Sequence, residues 1–166
     1  MQQKIIDVLD TAEYVEVIGK GENRTNMQVR LAALSDPEKQ TKFENCVADV
    51  NIPLGEVFTS PKLAGTNGIL NVGTVYIGDI QYRNLMMEFK DGRVVSTVCD
   101  NFAENGEIDK EAGHRLIVQG IMNGHETLPL GEFAIGTNTT AYAMAEKFGI
   151  LDRLPILIVE KMGPHS

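Results

Sequence analysis

The chain has 166 residues, of which 43% are hydrophobic and 23% charged, and its formal net charge is −8. That length suits a single domain with a real core, and the composition excludes a disordered or fibrous chain. No block of lysines and arginines interrupts the acidity, so neither a nucleic-acid duplex nor an anionic membrane surface is expected as a partner.

Met1 to Asp10 has no long apolar core and no small-residue cleavage site, so it does not read as a signal peptide. No apolar run reaches the ~18–20 residues needed to cross a bilayer. The cytoplasm is the expected compartment. Ile5 to Leu9 is compatible with a short helix, and Tyr14 to Ile18 alternates like a strand. Gly19 to Asn26 reads as a polar turn region. A second strand follows, with Met27, Val29 and Leu31 on one side and Gln28 and Arg30 on the other. Asp36-Pro37-Glu38 reads as an N-cap with proline at the first helical position, which predicts a short helix running toward Phe43.

Asn51 to Pro61 reads as a short strand pinned between Pro53 and Pro61. Gly65-Thr66-Asn67-Gly68 carries turn chemistry without the spacing of a phosphate-binding loop. Strands are expected over Gly68–Ile77 and Asn84–Lys90, and Asp91-Gly92 predicts a hairpin joining the second of these to Val94-Val95-Ser96. Helical spacing spans Ile108 to Asn123, with Gly124 as the expected stop. Thr139 to Phe148 has the same form, closed by Gly149, and Leu157-Ile158-Val159 reads as a buried strand. Strands and helices mix without strict alternation, so the expected class is α+β, in one domain spanning residues 1–166.

Cys46 and Cys99 lack a CxxC spacing, which excludes a zinc ribbon and leaves two small buried hydrophobes as the plain reading. Ser60 and Ser96 have no GxSxG motif around them. The unusual feature is a tetrapeptide that occurs twice, as Pro53-Leu54-Gly55-Glu56 and as Pro129-Leu130-Gly131-Glu132. Each copy has an apolar residue before it (Ile52, Leu128) and after it (Val57, Phe133).

Glu56 and Glu132 thus sit in apolar, strand-like segments beside a glycine. Either both carboxylates alternate outward to water, or both point to a shared cation, because an ionised group in an apolar setting needs compensation. Two-metal hydrolases bridge ions ~3.5–4 Å apart with such carboxylates. Among the histidines, His114 lies in the predicted helix beside Arg115 and reads as a surface residue, and His125 follows the helix stop. His165 follows the apolar strand at Leu157–Val159, where α/β sites tend to gather, and is the candidate third ligand. Glu160 and Lys161, just before it, are compatible with an ordinary ion pair.

Three strings, NIPLGEVFTSP (Asn51–Pro61), LPLGEFAIGTN (Leu128–Asn138) and EKMGPH (Glu160–His165), resemble the aminopeptidase T and aminopeptidase S group of thermophilic-type metallo-aminopeptidases, and the similarity runs from Tyr14 to Ser166. The resemblance implies a pair of divalent ions (zinc, cobalt, manganese or magnesium) that serve to remove N-terminal residues from peptides. It maps metal ligands onto Glu56, Glu132 and His165, and assigns no general base. The family's later ligands, a tyrosine, a second histidine and an aspartate, would lie beyond Ser166. The resemblance therefore also implies part of the catalytic domain of a larger, dimeric enzyme, inactive alone. The competing expectation is a non-catalytic binding or self-association module derived from such an enzyme.

Overall fold

The computed structural model describes residues 2–46, 56–136 and 147–148. The fold is α+β, built from two antiparallel sheets, a small hairpin and two helices among these residues. The larger sheet has the order β1 (Tyr14–Ile18), β2 (Asn26–Arg30), β5 (Lys62–Ile77), β6 (Ile80–Lys90), β7 (Arg93–Val98). The smaller has β10 (Phe133–Gly136), β4 (Glu56–Thr59) and β3 (Glu44–Cys46) side by side. Helix α1 (Gln2–Leu9) packs on β3 and β4, and α2 (Lys110–Gly120) packs on β7. β8 (Ala103–Glu104) and β9 (Glu107–Ile108) form the hairpin.

The period-2 patterns hold in the first two strands. β1 has the bounds its alternation predicts, and Met27, Val29 and Leu31 all enter the core beside β5. The β5–β6 hairpin is longer than expected at both strands, and its buried face switches midway. Val72 pairs with Leu85 and Val75 with Tyr82, and all four are buried although they are not in one alternation. The break falls at Gly73 and Asn84, where Asn84 adopts φ 47. Asn71 steadies that residue by donating to the Asn84 side-chain oxygen at 2.9 Å, and Asn84 donates in turn to Asp100 at 2.9 Å. The twist turns Tyr82 toward α2, where an ideal Cβ on Gly120 would lie 2.0 Å from the phenolic oxygen.

The Asp91-Gly92 turn forms as expected, with both residues at positive φ (46 and 68) between Lys90 and Arg93. β6 and β7 then slip by one residue, which leaves Val95 exposed. Asp109 caps α2 by accepting from Ala112 N at 2.9 Å. Helix α2 comes close to the residue that follows β7 at Gly113, where a Cβ would meet the Cys99 carbonyl oxygen at 2.7 Å.

Three expectations change. The helix from Pro37 toward Phe43 does not form: Lys39 and Gln40 bond back to the Asp36 carbonyl in one turn, and the chain then extends so that Phe43 reaches the core. Gly65 to Gly68 is no turn but lies inside β5. Thr66 is fully buried there, giving its hydroxyl to the Lys62 carbonyl and accepting from Arg30 N. The second helix starts at Lys110 and ends at Gly120, before Gly124, because Asn123 and Gly124 both turn left-handed and Gly124 N bonds back to the Val118 carbonyl. The expected helix at Thr139–Phe148, apart from Lys147 and Phe148, and the strand at Leu157–Val159 lie outside the described residues, as does Asn51–Gly55.

Candidate metal centre

The segment after α2 delivers Glu132 to the small sheet. Thr127 donates to the Val94 carbonyl, Val94 N bonds to the Leu128 carbonyl, and Leu130 N bonds to the Gly92 carbonyl at 2.7 Å. Leu128 and Leu130 are buried by these ties, so Gly131-Glu132 enters β10 from a fixed base. From the other side, β4 carries Glu56, and the chain then crosses to the larger sheet at Ser60-Pro61.

β4 and β10 pair antiparallel, with Glu56 opposite Gly136, Val57 opposite Ile135, Phe58 opposite Ala134 and Thr59 opposite Phe133. The segments that follow the two copies of Pro-Leu-Gly therefore pair, with Glu56 at one end of the ladder and Glu132 just before its other end. Phe58 and Ala134, each two residues past its glutamate, face each other, and the Val57–Ile135 pair exchanges with Thr59–Phe133. Cross-strand partners and second neighbours share a face of a sheet. Glu56, Phe58 and Ala134 thus lie on one face, and alternation carried one residue past the last pair puts Glu132 there too. On the opposite face, Phe133 meets Phe43 edge-on with ring centroids 6.3 Å apart, which anchors the sheet to the core.

Glu56 is 4% exposed, and Glu132 is half-buried with its Oε1 shut off from solvent. Carboxylates so placed are hard oxygen donors in a sheltered setting and fit a divalent cation chemically. They are not a complete shell. Among the described residues, no three histidine, cysteine, aspartate or glutamate side chains gather as a metal site. The third sequence candidate, His165, lies outside the described residues together with Glu160 and Lys161.

β3 adds side chains that the sequence reading did not place here. Cys46 stands opposite Glu56, and Glu44 opposite Phe58, on the same face. Cys46 is only half-buried, unlike the fully buried Cys99. The signal for β3 was weak: three residues, with no alternation to read.

The other two histidines are elsewhere. His114 is partly exposed on α2, with Nδ1 2.6 Å from the Thr97 hydroxyl and Nε2 3.1 Å from Glu126. It ties the helix to β7 and to the segment leading toward Glu132. His125 is exposed, with its backbone N–H bonded to the Met122 carbonyl.

Residues 1–148 match the family model for thermophilic metalloproteases (M29), a stretch that contains Glu56 and Glu132 and stops short of His165. No curated protein matches the chain. With most of its length covered by that match, the chain belongs to the M29 thermophilic metalloprotease family, a family of metal-dependent peptidases.

Proposed function

We propose that this protein contributes to an aminopeptidase centre in which Glu56 and Glu132, together with His165, hold a pair of divalent ions. The observation that supports the reading is the antiparallel pairing of β4, which begins at Glu56, with β10, which begins directly after Glu132. When bound, the ions supply polarisation of the scissile carbonyl and a lowered pKa for the attacking water. The chain's own residues bind and orient. Phe58 and Ala134 lie between the two glutamates and form the floor against which the substrate backbone packs. Glu44, exposed and opposite Phe58, is an acidic side chain on that face suited to the substrate's free amine. Recognition of that amine is what would confine cleavage to N-termini.

The test is binding of a labelled short peptide, with a free or an acetylated N-terminus, to the cobalt-loaded chain. The free-amine peptide is expected to bind roughly tenfold or more tightly, the scale of one charge-assisted contact. Equal affinity for the two peptides would remove the exopeptidase reading while leaving the family assignment in place.

A further inference from the structure

We infer that Asn105-Gly106 is a site of spontaneous covalent modification, where the asparagine is converted to aspartate and isoaspartate and the β8–β9 hairpin is released. The chain carries four dipeptides in which an asparagine or aspartate precedes glycine: Asn67-Gly68, Asp91-Gly92, Asn105-Gly106 and Asn123-Gly124. Glycine matters because no side chain shields its backbone nitrogen, the atom that attacks the preceding side-chain carbonyl. At Asn105 a bond forms between Gly106 N and Asn105 Cγ. The side-chain nitrogen leaves as ammonia, taking the Gly106 N–H proton with it, and water then opens the cyclic imide at either carbonyl. One opening gives aspartate. The other gives isoaspartate, in which the main chain runs through the former side chain. Water is the only co-reactant, and nothing is oxidised or reduced.

The four dipeptides separate by what holds the glycine nitrogen. Gly92 is buried and its N–H bonds to the Thr66 carbonyl at 2.7 Å, and the Gly124 N–H is held by the Val118 carbonyl at 2.8 Å. Gly68 lies inside β5, paired with Met27 on one side and Phe89 on the other, while the Asn67 side-chain oxygen accepts from Asp91 N at 2.9 Å. Asn105 and Gly106 instead form the two-residue turn between Glu104 and Glu107, at φ 51 and 83, and both are exposed. In such a turn the flanking residues make the closing bonds and the central N–H groups face water. Neither the Asn105 side chain nor the Gly106 N–H has a hydrogen bond among the described residues, and a Cβ on Gly106 would meet nothing within 4 Å.

The turn must open for the nitrogen to reach Cγ, and the hairpin resists this little. Its strands have two exposed residues each and form a sheet of their own. Its base is tied by the Asp109 N–H, which bonds to the Phe102 carbonyl at 2.8 Å. Isoaspartate lengthens the main chain of the turn, and either product sets a carboxylate between Glu104 and Glu107. Both changes oppose closure, so the tie between Asp109 and Phe102 is weakened.

The experiment is peptide mapping by mass spectrometry of the whole chain held at mildly alkaline pH, once folded and once in urea, with isoaspartate located by electron-transfer fragmentation. In the folded chain Asn105 is expected to convert roughly tenfold or more faster than Asn67 and Asn123, the factor given by a modest difference in opening free energy. In urea the three should convert at similar rates. Hydrogen-exchange protection of the Asp109 N–H should be lower in the converted chain than in the fresh one. Asn67 or Asn123 converting as fast as Asn105 in the folded chain, or the same preference for Asn105 persisting in urea, would overturn the site. An Asp109 N–H equally protected before and after conversion would overturn the release of the hairpin.

Discussion

Phe58 and Ala134 face each other across β4 and β10, and each stands two residues past the glutamate of its own Pro-Leu-Gly-Glu copy. The pairing brings the two copies' following residues side by side, with Glu56 at the start of β4 and Glu132 directly before β10. An ionised glutamate as buried as Glu56 is costly in an apolar strand unless it is compensated.

The Tyr82 hydroxyl occupies the space that a Cβ on Gly120 would need and, among the described residues, has no hydrogen-bond partner. Tyr82→Phe is therefore expected to leave stability unchanged or raise it, since a buried hydroxyl without a partner costs about 1–3 kcal/mol. Gly120→Ala should destabilise the parent by about 1–3 kcal/mol through overpacking. In the Tyr82→Phe background the same alanine should be tolerated, because the atom it strikes is gone. Urea denaturation of the four proteins checks this, and equal costs of Gly120→Ala in both backgrounds would refute it.

Gly92 holds φ 68 in the β6–β7 turn, and a Cβ there would come within 2.7 Å of Leu63 Cα. Gly92→Ala meets both backbone strain and a backbone clash, so it should destabilise by about 1–3 kcal/mol. Asp91→Asn should be nearly neutral, since asparagine tolerates the left-handed conformation and retains an oxygen to accept from Gly65 N. Thermal unfolding of the two variants distinguishes these outcomes.

Burial raises the Cys99 thiol above its ordinary 9.0, and burial followed by the nearby Cys99 raises the Tyr82 phenol above 10.0. The folded chain holds both protons more tightly than the unfolded one, so these groups favour folding most below about pH 9. Stability should fall as pH rises from there through the raised values. Cys99→Ala removes the thiol's share, and the alkaline decline in melting temperature should become shallower. A decline of unchanged slope would contradict the assignment.

Much of the scaffold was legible where one local rule acted alone. Tyr14–Ile18 alternates and forms β1, and Asp91-Gly92 has the chemistry of its turn and makes it. The misreadings came where tertiary contacts overrode local signals. Pro37 invites a helix, but burying Phe43 against Phe133 requires an extended chain. Gly65 and Gly68 look like a turn, yet Gly68 lies inside a strand, where the Asn26 carbonyl leaves no room for a Cβ. Asn105-Gly106, at φ 51 and 83, is a hairpin turn whose dipeptide was readable, though its strands are only two residues each. At the candidate site the sequence singled out Glu56 and Glu132 as candidates, but not the pairing of their strands or the places of Cys46 and Glu44 opposite Glu56 and Phe58. Those depend on strand register, which is set by long-range pairing and not by local composition.

Zinc titration by calorimetry of the parent, Glu56→Gln, Glu132→Gln and the double variant tests the convergence of the two carboxylates most directly. The account predicts that each single change weakens binding by roughly tenfold or more and that the double variant loses much less than the product of the two, as for groups serving one centre. Zinc affinity unmoved by either change, or losses that simply multiply, would show that Glu56 and Glu132 do not share a metal centre.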